Sequence, residues 1–304
     1  MNFQQLRFVR EAIRNNLNLT EVAAVLYTSQ SGVSKQIKDL EDELGIDLFV
    51  RSGKRLTSVT RAGDGAVEIV KRILLETENL RRYASQYSGV DTGQLIIAAT
   101  HTQARYTLPR VVEQFNNEFP KVKLELHQGT PNQVAAMISN GEADIGIASE
   151  VLDQSPDILA YPCFSWNHQV IVPLDHPLTK KAPVTLEDIA QYPLITYNPQ
   201  FTGRKCVDAA FSQAGLVPDF RLTAMDADVI KTYVERGLGV GIVAEMALDG
   251  IEKIGLTVLE TEGTLFGSCT TLVAVRNGTF LPSFAYRFLE TFAPNLRLED
   301  LKSA

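Results

Sequence analysis

The sequence predicts an α/β chain in three stretches: a small helical unit at the N-terminus, one long helix, and a larger two-lobed region of alternating strands and helices. Three observations predict it. The first sixty residues place apolar side chains at helical spacing and then run into a short basic hairpin. From about Ala62 to Gln86 there is no proline, and no glycine after Gly65. Beyond Gly93, apolar runs of strand length alternate with segments of helix length. A chain of 304 residues exceeds the ~100–200 of one ordinary domain, so more than one folding unit is expected.

Composition narrows the function classes. The longest apolar runs, such as Leu95 to Ala99 and Val240 to Ala244, fall far short of the ~18 residues of a membrane span, so no membrane partner is expected. No charged stretch followed by an apolar stretch and a small-residue cleavage site opens the chain, so a cytoplasmic location is expected. Cys163, Cys206 and Cys269 are widely separated and read as packing thiols; His101, His127, His168 and His176 lack the close pairing of a helical metal motif, and neither a metal nor a cofactor is expected. The net charge of -7 is unevenly spread: residues 1–90 hold thirteen Lys/Arg against eleven Asp/Glu, the remainder sixteen against twenty-five. A basic surface on the first ninety residues therefore remains compatible with nucleic acid.

Asn18-Leu19-Thr20-Glu21 has the spacing of a capping box and predicts a helix whose positions Leu19, Val22, Ala23 and Leu26 share one face. It ends near Tyr27-Thr28, where Ser29 is placed to cap a second helix. There Val33, Ile37, Leu40 and Leu44 fall in one arc, and Ser31, Ser34, Lys35 and Lys38 lie opposite. Two such helices joined by a short turn form a helix-turn-helix, whose second helix can present Ser29, Gln30, Ser31, Ser34, Lys35 and Lys38 to bases and phosphates. The same periodicity also fits a helical hairpin with a solvated polar face. Phe49 to Leu56 reads as a hairpin with Ser52-Gly53 at its tip and Arg51, Lys54 and Arg55 around it, which together with the helices is the plan of a winged helix-turn-helix.

In the long helix, Ala66, Val70, Ile73, Thr77, Leu80, Ala84 and Tyr87 are spaced alternately four and three apart. That is a heptad seam, which either pairs two chains or packs on its own domain. At Ser88 to Gly93 the helix breaks. The expected domains are 1–59, DNA-binding; 60–90, linker; and 91–304, effector-binding, with lobe I at about 91–164 and 268–292 and lobe II at about 165–267.

In the third stretch, strands are expected at Gln94 to Ala99, Val122 to His127, Asp144 to Ala148, Gln169 to Val172, Leu194 to Tyr197, Phe220 to Thr223 and Val240 to Val243. Helices are expected near Tyr106 to Asn117, Pro131 to Asn140, Gly203 to Gln213 and Asp228 to Arg236, giving a parallel, helix-covered sheet in each lobe. Ligands collect beyond the carboxyl ends of such strands. Thr100, Thr102 and Gln103 follow the first strand, Ser149 follows the third, and Thr202-Gly203-Arg204 precedes a helix of the second lobe. Each threonine alone also fits an N-cap; together they favour a small oxyanion such as sulfate or a carboxylate. Gly237-Leu238-Gly239-Val240-Gly241 follows a helix and opens a strand, the reverse of a dinucleotide fingerprint, and reads as a helix C-cap and a tight turn into a strand.

The motifs resemble those of the LysR-type transcriptional regulators, and within them the CysB/Cbl regulators of sulfur assimilation. The N-terminal likeness rests on Leu19 to Ala23, Thr28 to Ile37, Leu40 to Gly45 and Arg51 to Thr57; the narrower one on Thr100-His101-Thr102-Gln103-Ala104-Arg105-Tyr106, Phe201-Thr202-Gly203-Arg204 and Asp226 to Tyr233. The resemblance implies a periplasmic-binding-protein-like effector domain and a homodimer or homotetramer. It implies binding to double-stranded promoter DNA, contact with RNA polymerase, and activation of sulfate, cysteine or sulfonate genes. The implied effector is sulfate, thiosulfate, acetylserine or adenosine phosphosulfate, held by Thr100, Thr102, Gln103 and Thr202 with Trp166 at the border; Ser149 stands where CysB proteins tend to have threonine. Competing readings are a LysR-type regulator of another pathway, a two-lobed enzyme using Cys163 or His101, and a solute-binding protein.

Overall fold

In the computed structural model of the chain the described residues are 1–53, 55–86, 92–149, 152 and 155–296, without the side chains at 85, 86 and 202. The chain divides into two compact units, 1–89 with 278–280, and 90–277 with 281–304.

The first unit is built from α1 (Phe3–Arg14), α2 (Leu19–Val25), α3 (Gln30–Leu44), the hairpin β1 (Phe49–Ser52) and β2 (Arg55–Val59), and α4 (Arg61–Gln86). Helix α1 was absent from the expected elements. Asn2 caps it through a reciprocal box with Gln5, and it buries Leu6, Phe8, Val9 and Ala12. Asn18 caps α2 by accepting from the Thr20 amide; the expected box with Glu21 is replaced by this shorter bond. Ser29 caps α3 as expected, accepting from the Gly32 amide at 3.1 Å, and Gly45 ends the helix at φ 69°. Val33, Ile37 and Leu40 are fully buried, but Leu44 is 43% exposed: the helix ends there and its last turn leaves the core. Along α4, Val67, Val70 and Leu74 join the core of this unit with Ala66 and Ile73 partly buried, so the first half of the seam packs on its own domain. Leu80, at 68% exposed, and Ala84 face outward; Tyr87 and Lys54 lie outside the described residues.

The second unit holds β3 (Gly93–Ala99), α5 (Leu108–Glu118), β4 (Val122–Gln128), α6 (Pro131–Ser139), β5 (Ile145–Ser149), β6 (Ile158–Pro173), α7 (Leu186–Ile189), β7 (Leu194–Tyr197), α8 (Thr202–Gln213), β8 (Phe220–Ala224), α9 (Ala227–Glu235), β9 (Val240–Ala244), β10 (Leu256–Val258), β11 (Ser268–Arg276) and α10 (Ser283–Phe292). The strands run in the order β4-β3-β5-β11-β6-β9-β7-β8, with β10 beside β6. Parallel pairing holds within each lobe, between β3 and both β4 and β5, and between β7 and both β8 and β9. The expectation of purely parallel sheets is corrected by β11 and β6, which run antiparallel to each other and to β5 and β9. Strand β6 is sixteen residues long, not four: its first part pairs with β11 in lobe I and its last part with β9 and β10 in lobe II. Strands β5, β7 and β9 are buried at every residue, as runs such as Val240-Gly241-Ile242-Val243-Ala244 require when helices cover both faces. After α9, Gly237 adopts φ 75°, and a Cβ on Gly239 would stand 2.3 Å from the Pro193 carbonyl oxygen, so this glycine stretch is the turn its order implied.

Candidate functional site

Two surfaces carry the candidate residues, one in each unit. In the first, Gln30, Ser31 and Lys35 are exposed on α3, and Ser34 is half-buried. Lys35 and Arg55 are exposed cations with no ion pair among the described residues. Lys38 is different, because its Nζ lies 3.1 Å from Asp42 and 3.4 Å from Asp47, and the hydrogen bond it donates to Asp42 raises its pKa. Arg51 turns inward. Its Nη2 meets the fully buried carboxylate of Glu41 at 2.8 Å, and its Nη1 reaches Ser34 Oγ at 3.4 Å. Glu41 Oε1 also accepts from the amides of Leu48 and Phe49 at 2.8 and 3.1 Å. A buried carboxylate needs such partners, and these tie the hairpin to α3. Ser29 spends its hydroxyl on the cap. Tyr27, missed by the sequence reading, is 98% exposed at φ 51° in the turn before α3; the aromatic in so tight a turn was its only signal.

In the second unit a pocket with about 380 Å³ of empty space is lined by Thr100, Thr102, Gln103, Ser149, Trp166, Tyr197 and neighbours. The helical segment after β3 starts at His101, makes a π-helical turn over Gln103–Thr107 and continues as α5. Its first internal bond runs from the Ala104 amide to the Thr100 carbonyl, so the amides before it lack an intrahelical partner. Pro131 at the start of α6 and Gly203 at the start of α8 line the same pocket, which thus receives the N-termini of three helices. None of the described lining residues is charged. Helix N-termini and neutral donors favour an anion without a cation.

The structure places the expected residues individually. Gln103 is 1% exposed; its Nε2 donates to Thr271 Oγ1 at 2.9 Å and its Oε1 accepts from Thr107 Oγ1 at 2.8 Å. Its side chain is a strut of the pocket wall. Ser149 is the last residue of β5, and Thr202 is the first residue of α8 instead of preceding it; the Thr202 side chain lies outside the described residues. Trp166, 6% exposed, keeps its buried Nε1–H without a partner among the described residues. Beside it at 5.0 Å between ring centroids stands His168, whose two nitrogens are buried without partners among the described residues and whose pKa burial lowers to about 4. A Cβ on Gly203 would stand 2.8 Å from His168 Nε2 and 3.1 Å from Trp166 Cη2, so only glycine lets α8 approach this wall.

A polar latch joins the lobes near this pocket. Tyr106 donates to Asp228 Oδ1 at 2.6 Å, while Lys231 donates to the Tyr106 hydroxyl oxygen at 2.7 Å and meets Asp228 at 3.0 Å. Burial raises the Asp228 pKa, but the Tyr106 and Lys231 bonds outweigh it and the net shift is downward. His101, Asp226 and Asp228 bring potential ligand atoms within 4.8 Å of one another, yet Asp228 is already committed to these partners. The latch links residues over 120 positions apart, so no local spacing announces it. A larger groove of about 860 Å³ in the first unit, lined by Arg7, Arg10 and Arg81, is less suited to a small ligand, since Arg10 is paired with Glu11 and Glu78.

A family model described as LysR substrate binding domain matches residues 88–297, and one described as bacterial regulatory helix-turn-helix protein, lysR family, matches residues 3–64. The chain belongs to the LysR family of transcriptional regulators. It is 60% identical over 301 residues to the HTH-type transcriptional regulator SsuR of Burkholderia cenocepacia, spanning 99% of this chain and 97% of that protein. It is 51% identical over 302 residues to the HTH-type transcriptional regulator cbl of Escherichia coli, spanning 99% and 95%. The solved cofactor-binding domain of the Cbl transcriptional regulator is 49% identical, with a TM-score of 0.67 over 70% of this chain and 92% of that one. These relatives are regulators, so the enzyme reading falls. The chemistry agrees, because burial pushes the Cys163 thiol up to about 11. No helix among the described residues is long and apolar enough to cross a membrane.

Proposed function

We propose that this LysR-type regulator senses a small oxyanion of sulfur metabolism, sulfate or thiosulfate in the first instance, in the pocket between its lobes. The observation that carries the reading is the convergence of three helix N-termini on a pocket whose described lining is polar but uncharged. Thr100, Thr102 and Ser149 supply hydroxyls, Trp166 an indole N–H, Thr202 the first residue of α8, and Gln103 the strut that holds Thr102's segment. The likeness to the CysB and Cbl regulators supports a sulfur ligand, with acetylserine and adenosine phosphosulfate as the other candidates. On the DNA side, Gln30, Ser31, Ser34, Lys35 and Arg55 face the duplex and Tyr27 joins them; Lys54, outside the described residues, is kept as a contact from its place in the sequence; Lys38 is a secondary contact, and Ser29 and Arg51 hold the reading head in shape.

The domain extents 1–59, 60–90 and 91–304 go with this reading, as do a cytoplasmic location and contact with RNA polymerase. Pairing of chains along the outward half of α4, through Leu80 and Ala84, supports a homodimer or homotetramer that presents two reading heads to a symmetric promoter site. A thermal-shift panel of sulfate, thiosulfate, acetylserine and adenosine phosphosulfate tests the ligand. A ligand at 100 times its Kd stabilises the folded unit by about 2.7 kcal/mol, enough for a shift of several degrees. No shift with any sulfur oxyanion overturns the reading.

A further inference from the structure

We propose that Cys206 and Cys269 form a thiol–disulfide site at the wall of the effector pocket, closed by low-molecular-weight disulfides of the glutathione class. The two residues are 63 apart in the chain, yet their sulfurs lie 3.2 Å from each other. A disulfide bond is about 2.05 Å long, so closure asks the sulfurs to approach by only about 1 Å. Cys269 is fully buried on β11, in register with Trp166 of β6. Cys206, the fifth residue of α8, is partly exposed. The surroundings are apolar, with Trp166, Ala244, Phe164 and Met246 packed about the pair. The third cysteine, Cys163, has its thiol pushed up by burial and stands outside this cluster.

The exposure difference orders the chemistry. The Cys206 thiolate attacks one sulfur of the small disulfide, forming a mixed disulfide and releasing one small thiolate. The Cys269 thiolate then attacks the Cys206 sulfur and expels the second. Two protein thiols lose two electrons and two protons, and one small disulfide becomes two small thiols, so the exchange balances. In a glutathione-reduced compartment the pair rests as dithiol and closes when the pool is oxidised. The bond ties α8, whose Gly203 lines the pocket, to β11, whose Thr271 holds Gln103. Oxidation therefore fixes both walls in one arrangement. Its effect on anion affinity rests on the reading above; the chemistry of the pair does not.

The test equilibrates the full chain in oxidised and reduced glutathione, then counts alkylatable thiols by mass and maps the linked peptides. The expected count falls from three to one, with a Cys206–Cys269 peptide in the wild type and in Cys163→Ser, and none in Cys206→Ser or Cys269→Ala. Trp166 is the single tryptophan, so its emission changes on closure and returns with a reducing dithiol. Three alkylatable thiols after oxidation, glutathione retained on Cys206 with Cys269 still alkylatable, or a link through Cys163 each overturn the proposal. Should Cys269→Ala not fold, the wild-type peptide map alone decides. Sulfate titration of both redox forms is scored separately: binding that is absent in both overturns the anion reading and leaves the thiol site standing.

Discussion

Replacing Arg51 with alanine separates a structural cation from a phosphate contact. The substitution leaves the Glu41 carboxylate, whose side chain has no exposed area, with the Leu48 and Phe49 amides and no cation. Removing one partner of a fully buried ion pair costs about 3–5 kcal/mol. Two hydrogen bonds from backbone amides survive, and the lost side chain is 26% exposed, so about 2–3 kcal/mol is expected here. Because the chain has two units, a single melting curve is not a clean readout. Hydrogen exchange at the Leu48 and Phe49 amides reports the site directly, and their protection is expected to fall by about 30- to 150-fold, at 1.36 kcal/mol per factor of ten. A side chain that served only to touch phosphate would leave this protection unchanged and lower the salt slope of DNA binding by about 0.9. That outcome would show that Arg51 is a phosphate contact and not the partner that holds Glu41.

Three further outcomes follow from the same geometry. Lys35→Ala and Arg55→Ala each weaken DNA binding at all sequences and reduce the salt slope by about 0.9, while Lys38→Ala, whose ammonium already meets Asp42 and Asp47, changes it less; equal slopes for all three refute the distinction. His168, held neutral with its pKa at about 4, makes the second unit lose stability as pH falls from about 6.5 toward 4, because the unfolded chain takes the proton first; the total is about 3 kcal/mol, and His168→Phe flattens this limb of a denaturation-against-pH profile. Tyr106→Phe removes the hydroxyl shared by Asp228 and Lys231 and destabilises the lobe contact by about 1 kcal/mol, reduced by the exposure of Asp228; the contribution of that depressed carboxylate is present above the ordinary carboxylate range and fades as pH falls below it, visible as faster exchange in α9 at low pH.

The parts of the fold that were legible share a local cause. Val33, Ile37 and Leu40 repeat at helical spacing, β9 is an uninterrupted apolar run and β5 is one up to Ser149, so the local pattern alone finds them. Helix α1 was equally legible, with Asn2 and Gln5 at box spacing and Leu6, Val9 and Ile13 on one face. Strand β6 was not, because it changes neighbours midway and carries Pro162, Ser165, Asn167 and His168 where a single buried face would show alternation. At the pocket the sequence located Thr100, Thr102, Ser149 and the start of α8, since each lies at a strand end or helix start. It could not tell that Gln103 turns into the wall toward Thr271, that Arg51 turns toward Glu41, or that Cys206 and Cys269 meet. Those facts depend on pairings between distant segments, and no single segment records them.

In the proposed function neutral donors hold an oxyanion between the lobes, and a crystal of the full chain soaked in selenate locates that anion. An anomalous selenium peak is expected within hydrogen-bonding distance of Thr102 and Ser149 in wild type, lost in Thr102→Ala, where affinity falls by about 1–3 kcal/mol. A peak at the groove of Arg7, Arg10 and Arg81 with none between the lobes would contradict it.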